Sequence, residues 1–154
     1  MGLDQYLYAQ KRIGNGEEID RMLATLGLQR EDISPHFPSI YIEIEIAYWR
    51  KVNAVHGWFV DNVQDGVDEC QETEVGRSQL TELRDLCIAV REAWLRGDRS
   101  MAEEKLPPRD GFFFGSTDVD EDYLEDLSDT IDQLTRVLDN PRLEDYYFVY
   151  RASW

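Results

Sequence analysis

Four isoleucines at alternate positions, Ile40, Ile42, Ile44 and Ile46, with Tyr41, Glu43 and Glu45 between them, constrain this chain more than any other feature. Side chains alternate across a strand, so the segment reads as a β-strand with one apolar face and one wet face. The period then changes. Val52, Val55, Phe59 and Val63 recur at three to four residues, which predicts a helix from about Ala47 to Val63.

The flanking sequence supplies further elements. Leu3 to Ala9 alternates loosely around Tyr6 and Tyr8 and predicts a strand. Asn15 and Glu18 form a capping box ahead of Ile19, Met22, Leu23 and Leu26, and Gly27 is a natural stop. Residues 28–39, with Pro35 and Pro38, and the polar stretch from Gln64 to Gly76 read as loops. Arg77 to Leu95 carries an apolar stripe of Leu80, Leu83, Leu86, Cys87, Val90 and Trp94. A long connection over 97–116 follows, of a length usually functional or mobile in a small domain. A third long helix is predicted from about Asp118 to Leu138, capped by Ser116 or Thr117 and ended by Asn140-Pro141. Asp145 to Trp154 is aromatic and β-branched, a terminal strand. The order is β-α-β-α-α-α-β. This predicts one α+β domain over residues 1–154, with a small sheet of about three strands packed with about four helices.

Composition narrows the function classes. Lys and Arg total 16 against 32 Asp and Glu, a formal charge of −16, yet 42% of residues are hydrophobic, too many for a disordered acidic tail. Such a surface repels phosphate backbones, so direct nucleic-acid binding is not expected. No run approaches the ~18 apolar residues of a membrane span, and the N-terminus lacks a secretory signal. Cys70 and Cys87 fit no metal-ligand spacing and read as free thiols in a reducing cytoplasm. No hydrolase, zinc or dinucleotide motif is present, and the only histidines are His36 and His56. An acid/base mechanism would therefore rest on His56 or on a carboxylate; no cofactor or metal is implied.

Three constellations carry chemistry. In Tyr48 to Asn62, helical spacing puts Trp49, Asn53 and His56 on one face, next to Arg50 and Lys51. The indole would stack, the cations would offset an anionic charge, and Asn53 and His56 would give specificity for a small nucleotide-like ligand. The structural alternative makes Trp49 core and His56 a satisfied buried histidine. In Gly111 to Thr117, three consecutive phenylalanines cannot all be core, and Gly115-Ser116-Thr117 offers donors to an anion or simply a helix cap. From Asp118 to Asp132 stand eight acids and no base. Tyr123 and Asp129 occupy the positions where a calcium loop needs Gly and Glu, so calcium is not expected. The acids are a solvated face, or pair with a stripe of Arg77, Arg84 and Arg91, or mimic a DNA backbone through Asp118, Asp122, Asp126 and Asp129.

The opening MGLDQYL, the central YWRKxNxxHxWF over residues 48–59, GFFFGST over 111–117 and the ending YRASW together resemble a family of small acidic proteins encoded by bacteriophages and prophages. Gln5 departs from the methionine of that opening. The resemblance implies a phage accessory protein in the bacterial cytoplasm, in host takeover or counter-defence. It also groups Tyr6, Trp49, Arg50, Lys51, Asn53, His56, Phe113, Ser116 and Thr117 as one ligand- or partner-binding site. The expected partner is a small anionic ligand or a host protein segment, bound without catalysis. Self-association as a homodimer stays open.

Overall fold

A computed structural model of the protein describes residues 2–33, 36 and 38–154. Pro35 of the predicted loop and Met1 of the opening motif lie outside the described residues. The elements are β1 (Asp4–Ile13), α1 (Gly16–Thr25), β2 (Ile40–Arg50), α2 (Asn53–Asn62), β3 (Thr73–Val75), α3 (Arg77–Leu95), α4 (Ser100–Lys105), α5 (Glu121–Leu138) and β4 (Tyr147–Ser153). The fold is α+β. Its sheet has four strands in the order β2-β1-β4-β3, every neighbouring pair antiparallel.

Sequence and structure differ where signals were short or overlapping. β3 falls inside a predicted loop, because three residues are too few to show a period. α4 likewise lies within the predicted long connection. The helical reading from Ala47 is corrected: β2 continues to Arg50, with Tyr48 opposite Tyr6 and Trp49 opposite Gln5. A register shift between Leu7 and Tyr8 inserts Ile46 as an extra residue. The bulge reverses the alternation, so Ala47 and Trp49 turn into the core. Lys51 breaks the strand with a φ of 60°, its N–H donating to Leu3 O at 2.7 Å.

Asn15 caps α1, its Oδ1 accepting from Glu18 N–H at 2.8 Å, but Glu18 reaches back to the Asn15 side-chain amide at 2.8 Å and not to its backbone N–H, so the reciprocal half of the capping box is not formed. Gly27, at a φ of 73°, ends α1 as read. The cap of α5 is Asp120, which accepts from Tyr123 N–H at 3.2 Å, in place of Ser116 or Thr117.

Helices cover one face of the sheet. Leu7, Trp49, Phe148 and Tyr150 meet Val55 and Phe59 of α2, Leu80, Leu83 and Val90 of α3, and Leu127 and Leu134 of α5 in one core. α2 is buried from Asn53 to Val60 and presents no wet face over that stretch. Phe59 stacks on Tyr150 at 3.8 Å, worth about 0.5–1.5 kcal/mol beyond the buried area. A second, smaller cluster joins Ile13 to Ile19 and Leu23, with Ile40 and Ile42 against it. The opposite sheet face carries Tyr6, Tyr8, Tyr48 and Arg151, whose guanidinium lies 5.3 Å from the Tyr8 ring centre. No helix among the described residues is long and apolar enough to cross a membrane.

α3 and α5 pack through apolar residues, so the arginine stripe does not meet the acids. Arg77 donates to Leu138 O and Leu143 O, and Arg84 pairs with Asp85 at 2.9 Å. Among the described residues, no ion pair joins Arg77, Arg84 or Arg91 to the acids of 118–132.

Candidate functional site

The end of β2, the left-handed Lys51 and the start of α2 form a corner, and the strap 109–116 closes over it. Asn53 holds the strap down. Its Nδ2 donates to Phe114 O at 3.1 Å and Ser116 O at 2.8 Å, and its Oδ1 accepts from Arg109 N–H at 3.0 Å. Gly115 adopts a φ of 96°, and a Cβ there would sit 3.1 Å from Lys51 Cβ, so the strap closes only over glycine. Of the three phenylalanines, one turns inward and two stay together outside. Phe114 is core, edge-on to His56, while Phe112 is 78% exposed and packs on Phe113 at 4.2 Å. Phe113 holds a φ of 64°, a strained conformation for a bulky residue.

Between this corner and the start of α5 lies a cavity of about 190 Å³, whose lining includes Arg50, Lys51, Asn53 and Ser116 together with Asp118, Asp120, Asp122 and Asp126. Arg50 is turned toward Asp4, 3.6 Å away. None of the four aspartates is in an ion pair among the described residues. Burial, and then the charges of Asp122, Asp129, Glu125 and Asp120, push the Asp126 carboxyl up to about 6. Among the described residues, no group of three or more His, Cys, Asp or Glu is arranged to hold a metal ion.

Four of the nine grouped residues line this cavity: Arg50, Lys51, Asn53 and Ser116. The other five stand elsewhere. Thr117 is exposed beyond it, and Phe113 is half-exposed on the strap above Gly2. Tyr6 lies on the opposite sheet face, packed between Tyr8 and Tyr48. Trp49 is 1% exposed, because the strand places it in the core and removes the shared helical face with Asn53 and His56. Its indole has no surface on which a ligand could stack.

His56 is fully buried and both ring nitrogens are engaged. Nδ1 lies 2.8 Å from the Tyr150 hydroxyl, and Nε2 lies 3.1 Å from both Asp68 carboxylate oxygens. Burial pushes the imidazole below its ordinary value, with Asp68 opposing. The neutral ring then donates from Nε2 to Asp68 and accepts at Nδ1 from the Tyr150 O–H, a tautomer assigned from its partners. Asp68 also accepts from Trp154 Nε1–H at 3.0 Å. The constellation ties α2, the 63–72 loop and the C-terminal strand together. Asp68, Tyr150 and Trp154 gave no local sequence signal, since they stand 12, 94 and 98 positions from His56.

The chain matches no protein-family model, curated protein or solved structure in these comparisons.

The charge of half-buried Asp126 works against folding. At neutral pH, Asp126→Asn is expected to stabilise the protein by about 1 kcal/mol, a solvent-screened share of the shift. The sign follows from linkage. A carboxyl with a raised folded value takes up its proton on folding, so the cost of its charge is full above pH 6 and disappears as pH falls toward 3.8. His56 runs the other way: its stabilisation is full above pH 6.5 and is lost as pH falls. The two slopes oppose each other in the wild type. Thermal melts of Asp126→Asn between pH 7 and 4.5 should therefore fall more steeply than those of the wild type.

Proposed function

We propose that the protein is a non-enzymatic phage accessory protein that binds a segment of a host protein at the acid-walled cavity beside the 109–116 strap. The observation that carries this reading is the cavity that gathers Asp118, Asp120, Asp122 and Asp126, none of them in an ion pair among the described residues; burial and like charge push the Asp126 carboxyl up in keeping with it. Asp120 serves the fold as the cap of α5, but the like charges around half-buried Asp126 oppose folding, and a cationic side chain entering the cavity would relieve them. Phe112 and Phe113 stand exposed beside it, as aromatic anchors do at the centre of interfaces. Four carboxylates beside Arg50 and Lys51 favour a basic polypeptide over a small anionic ligand. The phage setting and the bacterial cytoplasm come from the sequence resemblance.

The acid face of α5 also supports the second reading, an inhibitor that occupies the nucleic-acid site of a host protein. Its carboxylates are not neutralised by the arginines of α3. Both readings place a basic host protein on the same side of the molecule.

The test is gentle purification from bacterial cells followed by native mass spectrometry, on the wild type and on Asp122→Asn/Asp126→Asn/Asp129→Asn. A basic protein retained in a salt-sensitive way by the wild type and lost by the variant is expected. An added mass of a few hundred daltons that disappears in Arg50→Ala would contradict the proposal and restore the anionic ligand.

A further inference from the structure

β2 is an edge strand, and among the described residues its outer edge is hydrogen-bonded at one position. Gln133 of α5 reaches across to Tyr48, its Oε1 accepting from the Tyr48 N–H at 2.9 Å and its Nε2 donating to the Tyr48 carbonyl at 2.8 Å. The carboxamide makes the two bonds that a neighbouring strand would make there. Bonded and non-bonded pairs alternate along an antiparallel ladder, so Glu45, Glu43 and Tyr41 turn their N–H and C=O groups outward as Tyr48 does. Among the described residues, no backbone or side-chain group bonds to that outward edge between Tyr41 and Ile46. An open edge of this length is a template for a further strand.

The side chains along it select what could pair. Ile44 lies opposite Ala9 and is 43% exposed, between the cover of α5 at Tyr48 and the α1 cluster at Ile42. Glu43 and Glu45 are exposed on the other face, with Gln10 donating to Glu43 at 2.6 Å. A strand added here meets isoleucine on one face and carboxylate on the other. A second copy is a poor fit: antiparallel pairing about Ile44 would set Glu43 of each chain against Glu45 of the other, between two molecules each carrying a charge of −16.

We infer that the open edge of β2 from Tyr41 to Ile46 accepts an extended polypeptide segment in which Lys or Arg alternates with apolar residues, added as a fifth strand of the sheet. Main-chain bonds to Glu45, Glu43 and Tyr41 supply the pairing, and the Glu43 and Glu45 carboxylates select the basic residues. Gln133 sets the register by stopping the added strand short of Tyr48. This goes beyond the cavity reading and stands without it, since the edge shares no residue with the cavity.

The test uses the full chain, labelled for amide NMR, and two synthetic seven-residue peptides, one alternating lysine with valine and the other glutamate with valine. The lysine peptide is expected to shift the amides of Tyr41, Glu43 and Glu45 and slow their exchange, while the glutamate peptide leaves them unchanged. Glu43→Pro removes an outward N–H at an edge position where proline is tolerated, and should weaken lysine-peptide binding at least tenfold. Glu43→Lys/Glu45→Lys keeps every backbone donor and should invert the preference between the peptides. Three results would overturn the inference: no shift at these amides with millimolar lysine peptide, shifts confined to 118–126, or the same shifts on concentrating the protein alone. Asp126→Asn is expected to leave edge binding unchanged, so that failure of the cavity reading and failure of this one give different patterns.

Discussion

His56→Ala is expected to lose about 3–5 kcal/mol of stability, the range for emptying a large buried site. The imidazole has no exposed surface, and its loss also leaves the Tyr150 hydroxyl without its acceptor and Asp68 without its histidine donor. Shape and polarity can be separated. His56→Phe fills most of the volume, orphans the Tyr150 hydroxyl and leaves Asp68 with Trp154 Nε1–H as its hydrogen-bond donor, for an expected cost of about 1–3 kcal/mol. Adding Tyr150→Phe removes one orphan, so the double variant should be no less stable than His56→Phe alone. Urea unfolding of the four proteins reads the cycle. Equal additive losses from His56→Phe and Tyr150→Phe would show that the ring and the hydroxyl do not interact.

Gln5→Met is expected to stabilise the protein by about 1–3 kcal/mol, a gain rarely available from one substitution. Gln5 sits in β1 between Trp49 and Ala152, fully buried, its amide beside the Tyr150 hydroxyl in a contact too poorly aligned for a full hydrogen bond, and among the described residues neither carboxamide atom has another partner. A buried amide without a full hydrogen bond keeps its desolvation cost, and methionine offers nearly the same length and shape with nothing to satisfy. An increase in the urea midpoint with unchanged slope is the expected result. A lower midpoint would mean that the carboxamide is held by bonds that methionine cannot make.

The parts of the fold that could be read from sequence are those with a long, single period. α1 with its Asn15–Glu18 cap, the stripes of α3 and α5, and the first half of β2 follow directly from local spacing. Two things hid the rest. One extra residue at Ile46 reversed the alternation of β2, and the apolar run beyond it then suited a helix as well as a strand. Local spacing therefore puts Trp49 on a helical face, whereas the fold holds it in β2. β3 is held by pairing with Phe148, Val149 and Tyr150, more than 70 positions away, and three residues carry no period of their own.

The site was legible in its residue types more than in its geometry. Arg50, Lys51, Asn53 and Ser116 do share a cavity, since the Lys51 turn and the strap bring the YWRK and GFFFGST stretches together. Polar residues with several bonding groups are ambiguous in sequence: Asn53 and His56 use theirs inward, on the strap and on Tyr150 and Asp68. The acids of 118–132 were visible as a run. That they stand uncompensated follows only from the packing of α3 on α5, which keeps the arginines away.

The cavity beside the strap holds a carboxylate, Asp126, whose charge the fold leaves unrelieved. Carboxyl-carbon NMR titration of Asp126 in the intact protein tests it most directly. A midpoint near 6 is expected, falling when Asp122 and Asp129 are replaced by asparagine. A midpoint in the ordinary carboxylate range, unmoved by those replacements, would contradict it.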